Sequence, residues 1–178
     1  MRKISIFIAM SLDGYIAKPN DDLSFLKLVE KEGEDYGYTK FTDAIDTLIV
    51  GRKTYEYVLK EIGSSHYDNG LRDVYVITRN QRPSLGRTTF YTGDLTALVK
   101  RLKSKTGKNI YCDGGAEIIN ELLKLDLIDE FIISVIPVLL GDGIKLFKAG
   151  IPEQSLKLVD TKQFDTGLTQ LHYQKKQE

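Results

Sequence analysis

An apolar, β-branched run that ends in a glycine and opens a helix constrains this chain more than any other feature. Thr47-Leu48-Ile49-Val50 runs straight into Gly51-Arg52-Lys53-Thr54, and the helix-forming stretch Tyr55-Glu56-Tyr57-Val58-Leu59 follows. A strand that feeds a helix N-terminus through a glycine aims several backbone N–H groups and the positive helix end at one spot, which favours an anion. Arg52 adds a planar fork of donors to the same turn, and Thr54 adds a hydroxyl. The pattern recurs where Ile110-Tyr111-Cys112 passes through Asp113-Gly114-Gly115 into the helix that begins at Ala116-Glu117. Two such turns in one small α/β unit point to a ligand with two separated phosphate groups, and a dinucleotide is the commonest of these.

The elements around these turns alternate. Ile4 to Met10 is β-branched and mostly apolar, as a central buried strand is. Ser11-Leu12-Asp13-Gly14 breaks it, and Tyr15 to Asp21 reads as an irregular loop. A short helix follows around Leu23 to Val29, with Asp21 or Asp22 as its N-cap, and a second is expected over Tyr38 to Ile45. Val74 to Ile77 reads as a strand and Thr89 to Tyr91 as a short edge strand. Leu95, Leu98, Val99 and Leu102 fall at helical spacing, and Glu130 to Ile136 is a further strand. Gly63 to Gly70 is a polar loop. The expected fold class is α/β, with a mostly parallel central sheet and helices on both faces. Leu156-Lys157-Leu158-Val159 and Leu168 to Tyr173, joined around Asp165-Thr166-Gly167, add an antiparallel hairpin at one edge. No linker or repeat interrupts residues 1–178, which read as one domain.

The 25 basic and 25 acidic residues cancel, so no global field draws nucleic acid or an anionic membrane, and phosphate recognition has to be local. No apolar run approaches the roughly 20 residues of a membrane span, and no signal peptide is evident, so the chain reads as cytoplasmic. One cysteine and two histidines leave no zinc site of the usual types, and no metal is expected. Cys112 reads as a buried apolar thiol, and His66 and His172 as structural residues. Neither a Gly-x-Gly-x-x-Gly after the first strand, nor a Walker A sequence, nor a Gly-x-Ser-x-Gly elbow occurs. Binding and orientation of a small molecule remain. Thr78 and Arg79 form a third cluster of hydroxyl and cation, after Val74 to Ile77. If the three strand ends share one side of the sheet, their donors converge on one cleft. Arg52 and Arg79 there suit an extra phosphate, such as the one that distinguishes NADP from NAD.

Four ordered segments then carry a resemblance. They are Ala9-Met10-Ser11-Leu12-Asp13-Gly14-Tyr15-Ile16-Ala17, Ile49-Val50-Gly51-Arg52-Lys53-Thr54-Tyr55-Glu56, Val76-Ile77-Thr78-Arg79-Asn80 and Asp113-Gly114-Gly115-Ala116-Glu117. With the late stretch Ile136-Pro137-Val138-Leu139-Leu140-Gly141-Asp142-Gly143, the chain resembles the dihydrofolate-reductase-like superfamily. Within it, the nearer branch is the reductase (C-terminal) domain of the riboflavin-biosynthesis deaminase/reductase, the RibD C-terminal domain. The resemblance implies a reductase that uses NADPH as hydride donor. It implies that Gly51, Arg52 and Thr54 contact the cofactor phosphates, and that Thr78 and Arg79 meet the adenosine 2′-phosphate region. Gly114, Gly115, Ala116 and Glu117 would meet the pyrophosphate and adjoining ribose, and Ala9 and Ile16 would bracket the nicotinamide. Asp13 would face the substrate and serve in its polarisation or in a proton relay.

Two departures mark this chain. Arg52 stands in a turn that lacks arginine in the riboflavin reductase, and Asp113 stands where that enzyme has glutamate. Asp22 superficially matches the acid of dihydrofolate reductase but reads as a helix cap. The expected activity is NADPH-dependent reduction of a small heterocycle, pterin-like or ribosylaminopyrimidine-like. The alternatives are a nucleotide-binding or regulatory domain without turnover, and the reductase of 5-amino-6-(5-phosphoribosylamino)uracil in riboflavin biosynthesis. The terminal hairpin and Ile132 to Ile136 offer apolar strand surface for a twin subunit, and the riboflavin branch implies a homodimer.

Overall fold

In a computed structural model describing residues 1–68 and 70–176, the alternation of the sequence becomes a layered α/β sheet. In chain order the elements are β1 (Ile4–Ser11), β2 (Tyr15–Ala17), α1 (Tyr38–Asp43), β3 (Ile45–Gly51), α2 (Arg52–Glu61), β4 (Asp73–Ile77) and β5 (Thr88–Tyr91). They continue with α3 (Leu95–Ser104), β6 (Asn109–Gly114), α4 (Ala116–Lys124), β7 (Glu130–Ile136), β8 (Ile144–Lys145), β9 (Leu156–Gln163) and β10 (Thr169–Lys175). Eight strands form the main sheet in the order β5-β4-β3-β6-β1-β7-β10-β9. The first six run parallel, while β10 is antiparallel to β7 and β9 to β10. β1 is central, and Ile4, Ser5 and Ile6 are fully buried, as a strand covered on both faces requires.

Side-chain alternation along β3 and β6 splits the core into two layers. Ile49, Ile110 and Cys112 face α3 and α4, where Leu98, Leu102, Ile119 and Leu122 are at most 1% exposed. Each such buried side chain contributes about 2 kcal/mol of transfer free energy. Leu48, Val50 and Tyr111 face the other way, toward Tyr55 and Val58 of α2 and toward Tyr38 and Phe41 of α1. The carboxyl ends of β4, β3, β6 and β1 therefore lie side by side at one end of the sheet.

The structure revises the reading of Tyr15 to Asp21 as irregular. Tyr15–Ala17 is a strand that pairs antiparallel with Ile144–Lys145, and Pro19–Asp21 is a 3-10 turn. Strands of three and two residues are too short to show a period of two in sequence. Their pairing is secured by Gly143, where a Cβ would fall 2.1 Å from the Ala17 carbonyl oxygen, so only glycine fits. α2 begins at Arg52, so the turn residues Arg52, Lys53 and Thr54 already belong to the helix expected from Tyr55. The short helix after Asp22 is a 3-10 helix over Ser24–Val29, with Asp22 Oδ1 accepting from the Ser24 N–H at 2.7 Å. The polar loop after α2 turns inward at Tyr67, which is 2% exposed; Asn69 of that loop lies outside the described residues.

Candidate cofactor cleft

Because β3 and β6 are parallel neighbours with Val50 opposite Gly114, their two following turns meet. A Cβ on Gly51 would lie 3.5 Å from the Gly114 carbonyl oxygen and 3.6 Å from the Gly115 nitrogen. A Cβ on Gly115 would lie 2.8 Å from Thr54 Oγ1, closer than such atoms approach. The result is a cradle whose floor is backbone, framed by the first turns of α2 and α4, where helical N–H groups have no intrahelical partner. Gly114 has φ +103°, and the Gly114–Gly115 peptide is cis. Ala116 is buried in the first turn of α4, and Glu117 is exposed beside it.

Thr78 follows β4, whose Ile77 is opposite Gly51, so the third strand end adjoins the first. Thr78 is buried, its N–H donates to the Tyr91 carbonyl at 3.0 Å, and its Oγ1 accepts from the Asn80 N–H at 3.1 Å. Arg79 beyond it is exposed. The Arg52 guanidinium pairs with Glu56, Nη1 to Oε2, at 2.6 Å. Ala9 lies on β1 opposite Ser134, half-buried against the cluster of Phe25, Val29 and Ile136. Ile16 of β2 packs instead against the layer that contains α3 and α4. Gly51, Thr54, Gly114 and Gly115 are thus in mutual contact, Thr78 and Arg79 adjoin them, and Ala9 and Ile16 flank the β1 side.

Asp13 is held on several sides. Its Oδ1 accepts from the Ser11 hydroxyl at 2.5 Å, and the carboxylate accepts from the Leu140 and Gly141 N–H groups at 3.1 and 2.7 Å. The Ser11 hydroxyl above all, with these two amides, holds its pKa down at about 2 against the opposing effect of desolvation. Near neutrality Asp13 is an ionised acceptor that ties the β1–β2 turn to the loop after β7.

Sequence reasoning missed the surroundings of Asp113. Tyr67 donates its hydroxyl to Asp113 Oδ2 at 2.6 Å, and His66 Nε2 lies 3.7 Å from the same oxygen. Burial, then the Asp113 charge, raises the Tyr67, Tyr111 and Tyr38 hydroxyls, the last to about 12. Tyr67 and Asp113 are 46 residues apart, so nothing local in sequence announces the pair. Cys112 is buried, and burial pushes its thiol up to about 12, which leaves it no nucleophilic character. His172 Nε2 meets Glu130 Oε1 at 3.0 Å, at the opposite end of the sheet from the cleft. Among the described residues no helix is long and apolar enough to cross a membrane.

Known proteins resemble this chain in sequence and fold. The family model described as RibD C-terminal domain matches residues 2–170. The uncharacterized protein YwjB of Bacillus subtilis (strain 168) is 43% identical over 173 residues, which covers 97% of each chain. A Shewanella sp. PV-4 structure, named as a candidate riboflavin-biosynthesis protein, superimposes with TM-score 0.87 at 30% identity, over 98% of this chain and 99% of that one. Dihydrofolate reductase from Enterococcus faecalis, complexed with NADP(H), shares the fold with TM-score 0.62 at 16% identity, over 98% of this chain and 97% of that one.

Proposed function

Since the chain belongs to the RibD C-terminal domain family, we propose that it is an NADPH-dependent reductase of a small heterocyclic substrate, pterin-like or ribosylaminopyrimidine-like. The carrying observation is the contact between the two strand-end turns, so close that a Cβ at Gly115 would clash with Thr54 Oγ1, which brings the backbone of both turns and the first turns of α2 and α4 to one cradle. That cradle fits a pyrophosphate, because it presents backbone donors at close approach and is flanked by a guanidinium. Gly51, Thr54, Gly114, Gly115, Ala116 and Glu117 would hold the phosphates and the adjoining ribose, with Thr78, Arg79 and Arg52 at the adenosine end. Ala9 and Ile16 would border the nicotinamide, and bound NADPH supplies the hydride. The protein's own contribution is positional: it holds the reacting carbon and excludes water. Asp13 would serve in polarisation of the substrate or in a proton relay, and its carboxylate also fixes the loop at Leu140 and Gly141.

Calorimetric titration with NADPH, NADP, NADH and NAD tests the reading. Tight binding of the two phosphorylated forms, weaker binding of the others and a loss in Arg52→Ala are expected. Absence of binding by all four would remove it.

The engagement of Asp13 by three donors favours one second reading, a nucleotide-binding domain without turnover. Steady NADPH consumption with a pyrimidine or pterin substrate would eliminate that reading. Reduction of 5-amino-6-(5-phosphoribosylamino)uracil is the narrowest form of the enzymatic reading, and rescue of a strain that lacks that reductase tests it. A homodimer also belongs to the proposal, supported by the exposed Leu158 and Val159 on edge strand β9. Light scattering that returned the mass of one chain would contradict it.

A further inference from the structure

α2 carries the chain about 15 Å away from the cleft in ten residues, yet the next turn brings it back. Ser64–His66 is a 3-10 turn, and Tyr67 after it stacks on Tyr55 near the start of α2, with ring centres 5.1 Å apart. The His66 ring stands edge-on against Tyr67 at 4.8 Å, and its Nε2 lies 3.7 Å from Asp113 Oδ2. Asp113 is itself re-aimed. Ile49 is opposite Cys112 and Val50 opposite Gly114, so Asp113 is the extra residue of a bulge immediately before the cradle. Through Tyr67 it joins the layer against which Phe7 of β1 packs, and Ala9, two residues on, points to that same face. The Asp113 side chain is 11% exposed and that of His66 22%, so the carboxylate is largely buried while the imidazole keeps an edge open to water. Among the described residues, His66 is the only basic group within 4 Å of this carboxylate, and its Nδ1 makes no hydrogen bond.

Reduction of a C=N or C=O bond places a hydride on carbon and sends the π pair to the heteroatom, which must then take up a proton. The groups around this end of the sheet are poor sources of it. Asp13, held down at about 2, is ionised near neutrality, so a relay through it still needs a donor. Burial, then the Asp113 charge, keeps the Tyr38, Tyr67 and Tyr111 hydroxyls above their ordinary value, and burial holds the Cys112 thiol at about 12. Arg72, whose charge reaches Tyr38, donates to the Thr42 carbonyl at 3.2 Å and does not release a proton. An imidazole is the side chain that ordinarily exchanges its proton between pH 5 and 8.

We propose that His66 is the general acid of the reduction, giving its Nδ1 proton to the substrate heteroatom, and that Asp113 and Tyr67 are positioning residues that hold the ring through Nε2 and its edge. The C–H bond forms as the π bond breaks, the freed pair takes the Nδ1 proton, and the neutral ring recovers a proton from water. This assignment rests on the reductase reading of the cleft. Its test follows NADPH oxidation by the full chain with dihydrofolate and with 5-amino-6-(5-phosphoribosylamino)uracil as probes, across about pH 5 to 9. The wild-type kcat falls as pH rises and the imidazolium loses its proton. His66→Gln lowers kcat about 100-fold or more and removes that fall, while NADPH affinity by calorimetry and the thermal midpoint stay in place. Asp113→Asn lowers kcat by a smaller factor with KM unchanged, a split that general loosening of the fold would not give. Independently of turnover, NADPH shifts the Cε1 proton resonance of His66 and leaves that of His172, at the opposite end of the sheet, where it was. A His66→Gln variant that keeps both its kcat and the alkaline fall, or a His66 resonance that NADPH leaves untouched, overturns the proton donor and leaves the reductase reading standing. If NADPH binds and neither probe is reduced, the reductase reading itself falls, and the proton donor with it.

Discussion

Gly115 is where the two turns come closest, and its missing side chain is what lets them do so. An alanine there would set its Cβ 2.8 Å from Thr54 Oγ1, on a β-branched side chain with little rotamer choice. Gly115→Ala is expected to cost about 1–3 kcal/mol, the usual range for overpacking. Removing the opposing hydroxyl with Thr54→Ala should return part of that loss, and urea denaturation of the two single variants and the double variant measures the coupling. Additive costs would mean that the Cβ finds its room elsewhere. A second residue-scale case is Tyr67, whose hydroxyl supplies the hydrogen bond to the largely buried Asp113 carboxylate. Tyr67→Phe leaves that acceptor short of a donor and is expected to destabilise the fold by about 1–3 kcal/mol in the same assay. These two cases differ in how well the sequence displays them. Gly51, Gly114 and Gly115 were legible because a glycine between a strand and a helix has a local meaning. The Tyr67–Asp113 pair was not, because a polar loop residue becomes buried only when a strand 46 residues away arrives beside it.

At the scale of elements, the mouth of the cleft is built from the parts that were hardest to read. α4 begins at the expected Ala116 and β7 occupies the expected Glu130 to Ile136, because each carries several turns or pleats of consistent patterning. β2 and β8 carry no such pattern and exist because Gly143 lets their backbones touch. Asp13 completes the same assembly by gathering the Leu140 and Gly141 amides. Its folded pKa, about 2, lies below the ordinary value of 3.8. A depressed carboxylate contributes its full stabilisation above the ordinary value and loses it as pH falls through the folded one. Amide exchange at Leu140 and Gly141, corrected for its intrinsic pH dependence, should therefore stay protected down to about pH 4 and open toward pH 2. Asp13→Asn should open the same two amides already at neutral pH while α4 remains protected. Unchanged exchange in that variant would mean that the loop after β7 is held by other contacts.

Across the whole molecule, the two ends of the sheet are stabilised by different chemistry. At the end away from the cleft, buried Arg2 ties β3 to α3 and to the connection before β6: it pairs with Asp46, donates to Thr47 Oγ1 at 2.7 Å, and reaches the Leu102 and Lys108 carbonyls at 3.1 and 2.5 Å. At the cleft end, three tyrosines from separate elements, Tyr38 of α1, Tyr67 after α2 and Tyr111 of β6, gather around one carboxylate. Burial and the Asp113 charge push all three hydroxyls above the ordinary value of 10, Tyr38 to about 12. In the unfolded chain these groups ionise near pH 10, while in the folded protein they remain protonated. Their contribution is fully present below pH 10 and is lost as pH rises toward the folded values, because the unfolded state releases protons first. Each tyrosine then lowers stability by up to about 1.4 kcal/mol per pH unit. The buried Cys112 thiol, raised from 9.0 to about 12, acts with the same sign from a slightly lower pH. The urea midpoint should thus hold steady near neutrality and fall steeply above pH 10. Tyr67→Phe, though less stable at pH 8, should fall less steeply, by one tyrosine's share. A midpoint that stays level from pH 9 to 11 would contradict the burial of all three hydroxyls. A parallel fall in the variant would instead assign the loss to the other two tyrosines and the thiol.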